Sequence, residues 1–343
     1  IVWSGKSNAM DPVSQAALGA AIPQAVGDRQ RLAPIALVGA LAGMAPDLDV
    51  LIRSSTDPLL FLVYHRQFTH SLVFIPVGAL ICTLALWPLV KRWLDFKTAF
   101  WVALLGYGSH GLLDACTTYG TLLFWPFSNQ RIAWNNVSVI DPLFTLPLLL
   151  CVLIAARTRQ QSVARWGLLW GIVYLSMGLL QSHRAESVGY ELAQSRGHKP
   201  AELSAKPSLA NLLLWKVVYE YDGRFYVDAV RVGLETRVYP GSSVERLQIG
   251  KHLPWLSENS QQAHDIERFR WFSSDYLAID QPDPLLIVDM RYSMLPNEIE
   301  GLWGIRLNPD AASSEHVQYH TQRSASRERI DRLLAMLRDS EYP

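Results

Sequence analysis

Nineteen consecutive residues, LVFIPVGALICTLALWPLV at positions 72–90, carry no charged side chain. A helix needs roughly 20 apolar residues to cross a hydrocarbon core about 30 Å thick, and lipid tolerates only helices or closed barrels. This run therefore predicts a helical membrane domain. Runs of similar character cover 32–52, 98–118, 137–156 and 166–182. Ahead of them MDPVSQAALGAAIPQAVG is small, Ala-rich and interrupted by Pro23, which suits a short span, a re-entrant helix or an interfacial one. The expected fold is an α-helical polytopic membrane domain of about five to six helices followed by a small α+β domain.

Composition supports the division. Hydrophobic residues make up 50% of the 343 and charged residues only 18%, but the average hides two unlike halves. From Arg184 onward charges are dense, turns recur and apolar runs become short and alternating, so the boundary is expected near 183, with a membrane domain over 10–183 and an α+β domain over 184–343. Residues 1–9, ending in Ser-Asn-Ala before Met10, read as an expression-tag remnant, with the native chain starting at Met10 and no cleaved signal peptide. A net charge of +0 recommends no nucleic acid partner. Three cysteines are too few for a disulfide scaffold, and Cys82 and Cys151 lie inside apolar runs. No feature fixes an oligomeric state.

Lys and Arg in the short loops set orientation. Arg29, Arg31, Lys91, Arg92, Lys97, Arg157, Arg159 and Arg165 fall on one side, against Arg53, Arg66 and Arg131 on the other. The excess marks the cytoplasmic side and places the region after 183 outside the cytoplasm.

With the spans laid out in this way, the unusual polar residues fall at one depth. Asp47 and Asp49 end the first clear span, His65 and His70 flank the second, and His110 and Asp114 occupy the outer third of the next. Asp141 opens a further span and His183 closes the last, positions that suit a helix start and a membrane surface. Ionisable groups at membrane depth are costly unless they pair or reach water. His110 and Asp114, four apart, share a helix face; Asp47 and Asp49 can both be aimed at a cation where Pro46 disturbs the helix. Thr69 is placed to cap the helix that follows. Taken singly, each residue has an ordinary alternative: a snorkelling or hydrogen-bonded histidine, a loop acid, a His–Asp pair bracing two helices. Six metal-capable groups converging at one depth favour a metal site.

The motifs "MDPVSQAALGAA", "PDLD", "HRQFTHS" and "GYGSHGLLDACTTYGTLLFWPFS", in that order over about residues 10–185, resemble the LexA-regulated, inner-membrane metal-dependent hydrolases. That family is more distantly similar to zinc-dependent phospholipase C and P1-type nucleases. The resemblance implies a bacterial inner-membrane location and a metal-ligand set of His65, His70, His110 and Asp114, with Asp47 and Asp49 from the aspartate motif. Where many members carry a histidine in the opening motif this chain has Gln15, a poor zinc ligand that would instead meet bound water or substrate, or leave one metal position lost.

Mixed His and Asp ligands suit Zn²⁺, one ion or two, with Mn²⁺ or Fe as alternatives. Such ions activate water and clamp the oxygens of a displacement at phosphorus. Arg66, Asp49 and Asp114 are the candidate catalytic residues: the Arg66 fork matches two phosphate oxygens, although an interfacial Arg also pairs with lipid head groups. A site level with the outer head groups would meet a membrane lipid or a lipid-linked phosphate. The expected function is thus a metal-dependent phosphoesterase at the extracytoplasmic leaflet. Its rivals are a metal transporter or sensor, which would need polar groups through the whole depth, and a structural membrane protein whose tail carries the function.

In the tail, LWKVVYEYDGRFYVDAVRVG predicts a hairpin around Asp222-Gly223. DPLLIVDMRYSM and LWGIRLN suggest further strands, and SRERIDRLLAMLRDS an amphipathic helix with Ile330, Leu333, Leu334 and Leu337 on one face. His252, His264, His316 and His320 are scattered and expected at the solvated surface.

Overall fold

The computed structural model describes residues 11–322 and 326–339; the segment 1–9 read as a tag remnant lies outside them. The chain divides into two units, one formed by residues 1–52, 64–179 and 209–211, the other by 53–63, 180–208 and 212–343.

The first unit is helical. It contains α1 (Pro12–Val26), α2 (Leu32–Met44), α4 (Ile75–Val90), α5 (Phe96–Ala115), α6 (Pro142–Thr158) and the first part of α7 (Gln161–Ser195). A five-residue helix α3 (Leu60–Tyr64) lies at the junction of the two units in sequence. Among the described residues three helical segments are long and apolar enough to cross a membrane, Arg29–Leu51, Leu72–Val90 and Gln161–Ser195, and Pro142–Thr158 is a shorter apolar helix. Large apolar side chains on these helices, among them Ile81, Leu84, Leu146, Leu150, Ile172 and Leu180, are exposed. Water would penalise that surface and a bilayer would not.

Small residues set the packing of α1, α2 and α5. Gly39 and Gly43 are four apart on α2; a Cβ at Gly39 would stand 2.4 Å from the Gly19 carbonyl oxygen and one at Gly106 would stand 2.5 Å from that of Gly39. The three backbones therefore approach more closely than any larger side chain permits. α1, left open by its sequence, is a 15-residue helix packed against α2, α5 and α6. Its Asp11 side chain accepts from the Val13 N–H, as Asp141 accepts from Leu143 and Phe144 at the start of α6.

The last apolar run was expected to end at 182, but α7 continues to Ser195. Hydropathy falls there while helix-forming residues continue, and Ala185 and Ala193 find new partners in the second unit. His183 consequently lies within the helix, exposed, with Glu186 at 3.4 Å.

The second unit holds two antiparallel four-stranded sheets, ordered β1-β2-β3-β4 and β5-β6-β7-β8. The first comprises Leu203–Pro207, Leu214–Tyr221, Arg224–Val232 and Thr236–Glu245; the second comprises Leu277–Ile279, Leu286–Asp289, Trp303–Arg306 and Gln318–Thr321. Asp222 and Gly223, both at positive φ, form the expected tight turn between β2 and β3. One face of this sheet, with Trp215, Val217, Tyr219, Val230 and Val232, packs on Ala185 and Ala193 of α7; Val218, Phe225 and Val227 pack on Leu286, Val288 and Met290. Helices α8 (Ile249–His252) and α9 (Gln261–Phe272) precede the second sheet, and α10 (Arg327–Arg338) closes the unit. α10 buries Leu333 and Met336 against Leu214, Ala229 and Leu295, whereas Ile330 and Leu334 stay largely exposed, so its buried face is rotated from the expected one. His252 and His316 are not simply solvated: they pair with Glu245 at 3.0 Å and Asp265 at 2.8 Å.

Candidate metal centre

Asp47 and Asp49 lie in a 3₁₀ segment, Ala45–Leu51, that follows α2 and opens with Pro46 near its start. His70 ends a second 3₁₀ turn, Phe68–His70, just before α4, and His110 and Asp114 lie one turn apart near the end of α5. The three sequence segments meet because α2 and α5 pack together and α4 packs on α5. Gly111 permits the last approach: a Cβ there would stand 2.4 Å from the His70 carbonyl oxygen.

Asp47, His70, His110 and Asp114 place one potential ligand atom each within 4.8 Å of all the others, and Asp47, Asp49 and His65 form a second such group. All six predicted ligands are thus brought together. Asp141 and His183 are not among them: Asp141 caps α6 and accepts from the Tyr174 hydroxyl at 2.8 Å. Five of the six are buried, His110 and Asp114 completely, and only the Asp47 side chain is partly exposed, at 14%.

Hydrogen bonds fix the histidine tautomers. His110 Nδ1 lies 2.6 Å from the Gly43 carbonyl oxygen, which can only accept, so Nδ1 carries a proton and Nε2 is the nitrogen turned to the cluster. Thr69 Oγ1 donates to Asp49 Oδ2 at 2.8 Å, which leaves it to accept from His70 Nδ1 at 2.9 Å. His70 Nε2 faces His110 Nε2 at 2.9 Å, a separation that a cation or a shared proton bridges. Asp47 Oδ1 stands 3.5 and 3.4 Å from these two nitrogens, and Asp114 Oδ2 stands 3.2 and 3.7 Å away. Asp47 Oδ1 makes no hydrogen bond among the described residues, and Asp114 Oδ2, also without one, is ion-paired with Arg66 Nε at 3.1 Å. Two ring nitrogens and two carboxylate oxygens converge in a buried space, where each unsatisfied polar atom costs about 1–3 kcal/mol. This donor set fits a cation, and the His/Asp group could hold a metal ion.

The surrounding residues orient the ligands, as supporting hydrogen bonds around metal sites commonly do. Asp49 Oδ1 accepts from His65 Nδ1 at 2.7 Å, and Oδ2 from the Arg66 N–H at 3.0 Å and from Thr69. Both oxygens of Asp49 are therefore engaged. His65 Nε2 is buried with no hydrogen bond among the described residues. Arg66 is 1% exposed, in the left-handed region at φ 62°, with Nε 3.1 Å from Asp114 Oδ2 and one terminal nitrogen 3.1 Å from Thr117 Oγ1. An interfacial arginine reaching for lipid head groups would be exposed, so that alternative does not match its position.

Two functional residues differ from expectation. Thr69 does not cap a helix; it ties Asp49 to His70, and α4 starts five residues beyond His70. Gln15, fully buried on α1, donates from Nε2 to Asp114 Oδ1 at 2.9 Å. It holds one oxygen of the carboxylate and leaves the other turned toward the histidines.

Fold and site together define a multi-span helical membrane protein with a buried His/Asp group able to hold a metal. The profile of the YdjM inner membrane protein family matches residues 10–185, which include every residue of this group, and the chain belongs to that family of inner membrane proteins. The chain is 34% identical over 136 residues to the inner membrane protein YbcI of Escherichia coli, covering 37% of this chain and 75% of that protein. It is 28% identical over 124 residues to the uncharacterized protein YfhP of Bacillus subtilis, covering 36% of this chain and only 37% of that relative. No solved structure matches the chain.

Proposed function

We propose that the protein is a metal-dependent hydrolase of phosphate esters, acting on a phospholipid or lipid-linked phosphate at the extracytoplasmic leaflet. The observation that carries this reading is the convergence of His70 Nε2, His110 Nε2, Asp47 Oδ1 and Asp114 Oδ2, with both Nδ1 atoms hydrogen-bonded away from the cluster. These four residues would hold one ion, with zinc the best match for mixed imidazole and carboxylate donors. The second group, Asp47, Asp49 and His65, shares Asp47 with the first and offers a place for another ion. When bound, such an ion supplies Lewis acidity toward a phosphoryl oxygen and toward water.

The chain's own residues account for the rest. Arg66 Nη2 has no hydrogen bond among the described residues and is available to a phosphate oxygen, while Nε is anchored to Asp114. Asp49 fixes the His65 ring through its 2.7 Å contact with Nδ1, which keeps His65 in the second group. Asp47, the one partly exposed member, lies beside the exposed apolar residues Leu48 and Leu51, which suit contact with acyl chains.

The test is turnover of lipid phosphate esters by purified protein, alongside His110→Ala and Asp114→Ala. Loss of both metal and turnover in the variants supports the hydrolase. Wild-type turnover in the metal-free protein contradicts it.

A further inference from the structure

The opposite end of the helical bundle carries a second constellation. A cavity of about 710 Å³ is lined by Arg31 before α2, Arg92 and Trp93 after α4, and Arg157 and Arg159 at the end of α6, with an apolar wall that includes Leu153 and Ala156. These positions start α2 and end α4 and α6, whereas the His/Asp group lies at the other ends of α2 and α4. Four cationic side chains from three separate stretches, all exposed, line this open groove, and no carboxylate is among its described lining residues.

Their partners are unevenly distributed. Arg31 pairs with Asp28 at 3.2 Å, and the nearby Arg29 and Arg165 bond to Gln161 and the Ala25 carbonyl at 3.3 and 2.9 Å. The side chains of Arg92, Arg157 and Arg159 make no hydrogen bond or ion pair among the described residues. Like charges gathered at one exposed groove raise a positive potential there that water screens in part and that attracts an anion. Guanidinium forks match phosphate oxygens, and a wall of Leu153, Ala156 and Trp93 at the end of lipid-facing helices suits the glycerol and upper acyl carbons. Basic pockets between membrane helices of this kind bind anionic lipid head groups.

We propose that this cavity is a binding site for an anionic phospholipid, held by its phosphate through Arg92, Arg157 and Arg159. The inference does not rest on the metal centre or on hydrolysis.

The experiment titrates the full chain in neutral detergent with dihexanoyl phosphatidylglycerol, dihexanoyl phosphatidylcholine and inorganic phosphate, reading binding by tryptophan fluorescence. The anionic lipid is expected to bind at least about tenfold more tightly than either of the others. Replacing both Arg157→Gln and Arg159→Gln should weaken it about thirtyfold, at about tenfold or less per charge near the surface. Arg92→Gln, on a different segment, gives an independent reading if the double variant does not fold. Equal binding of the two lipids, or undiminished binding by the folded variants, would overturn the proposal. Equally tight inorganic phosphate would also overturn it, by showing a site for soluble anions.

Discussion

His70 and His110 bring their Nε2 atoms to 2.9 Å from each other, although each ring already directs an Nδ1 proton to another oxygen. Two lone pairs do not attract at that distance; they need a cation or an additional proton between them. The cluster is therefore built for positive charge at its centre, and the helices around it are spaced by glycines so that it can close.

Gln15 sets the orientation of Asp114 by its 2.9 Å hydrogen bond. Gln15→Ala is expected to weaken metal affinity by about 10–100-fold without unfolding the bundle, as loss of a supporting hydrogen bond commonly does. Competition with a chelator of known affinity measures it; unchanged affinity would assign Gln15 to packing alone.

Gly111 faces the His70 carbonyl oxygen with no room for a side chain. Gly111→Ala should destabilise the protein by about 1–3 kcal/mol and reduce metal content together, because α5 must move away from the turn that carries His70. Thermal unfolding followed by helical circular dichroism, with metal analysis of the same sample, checks both.

Arg66→Lys separates anchoring from phosphate recognition. Lysine keeps the charge near Asp114 but loses the second arm of the fork. Retained metal with kcat/KM reduced at least about tenfold is expected if the free nitrogen grips phosphate, since one lost charged hydrogen bond is worth about 1.5–3 kcal/mol. Unaltered turnover would confine Arg66 to a structural role.

In the second unit Lys206 and Lys216 stand directly opposite each other on β1 and β2. Burial is the main reason both amines are pushed down to about 7 from an ordinary value of 10.5. Lys216 donates to Ser293 Oγ at 2.8 Å and to the Glu298 carbonyl at 2.7 Å, while Lys206 lies over the Tyr276 ring. Between pH 7 and about 10 the unfolded chain binds more protons than the folded one, so these groups make stability rise with pH across that window. Lys206→Met should stabilise the unit at pH 7 by about 1–4 kcal/mol and flatten its pH dependence. Unfolding midpoints at pH 6, 7.5 and 9 test this; a variant with the wild-type slope would show that Lys206 does not titrate there.

Much of the site was legible in the sequence because membrane depth is restrictive. A carboxylate or imidazole at that level demands a reason, and His110 with Asp114 shows helical spacing directly. The supporting contacts were not legible. Gly43 acts through a backbone carbonyl, Gln15 reaches Asp114 across 99 positions, and Thr69 stands where an N-cap would be expected. Such partners depend on how helices pack, which spacing along one chain does not encode. Helix α7 was underestimated for a related reason: hydropathy marks apolar length, whereas the helix continues where its partner changes to the β-sheet of the second unit. The hairpin at Asp222-Gly223 was recoverable because its turn chemistry is local.

The most direct measurement is the metal content of the purified full chain and of His110→Ala, prepared in parallel and both shown to be folded. About one or two ions per wild-type chain are expected, as the two overlapping ligand groups allow, and almost none in the variant. A folded wild-type protein that takes up no metal, or a variant that retains the full complement, would contradict it.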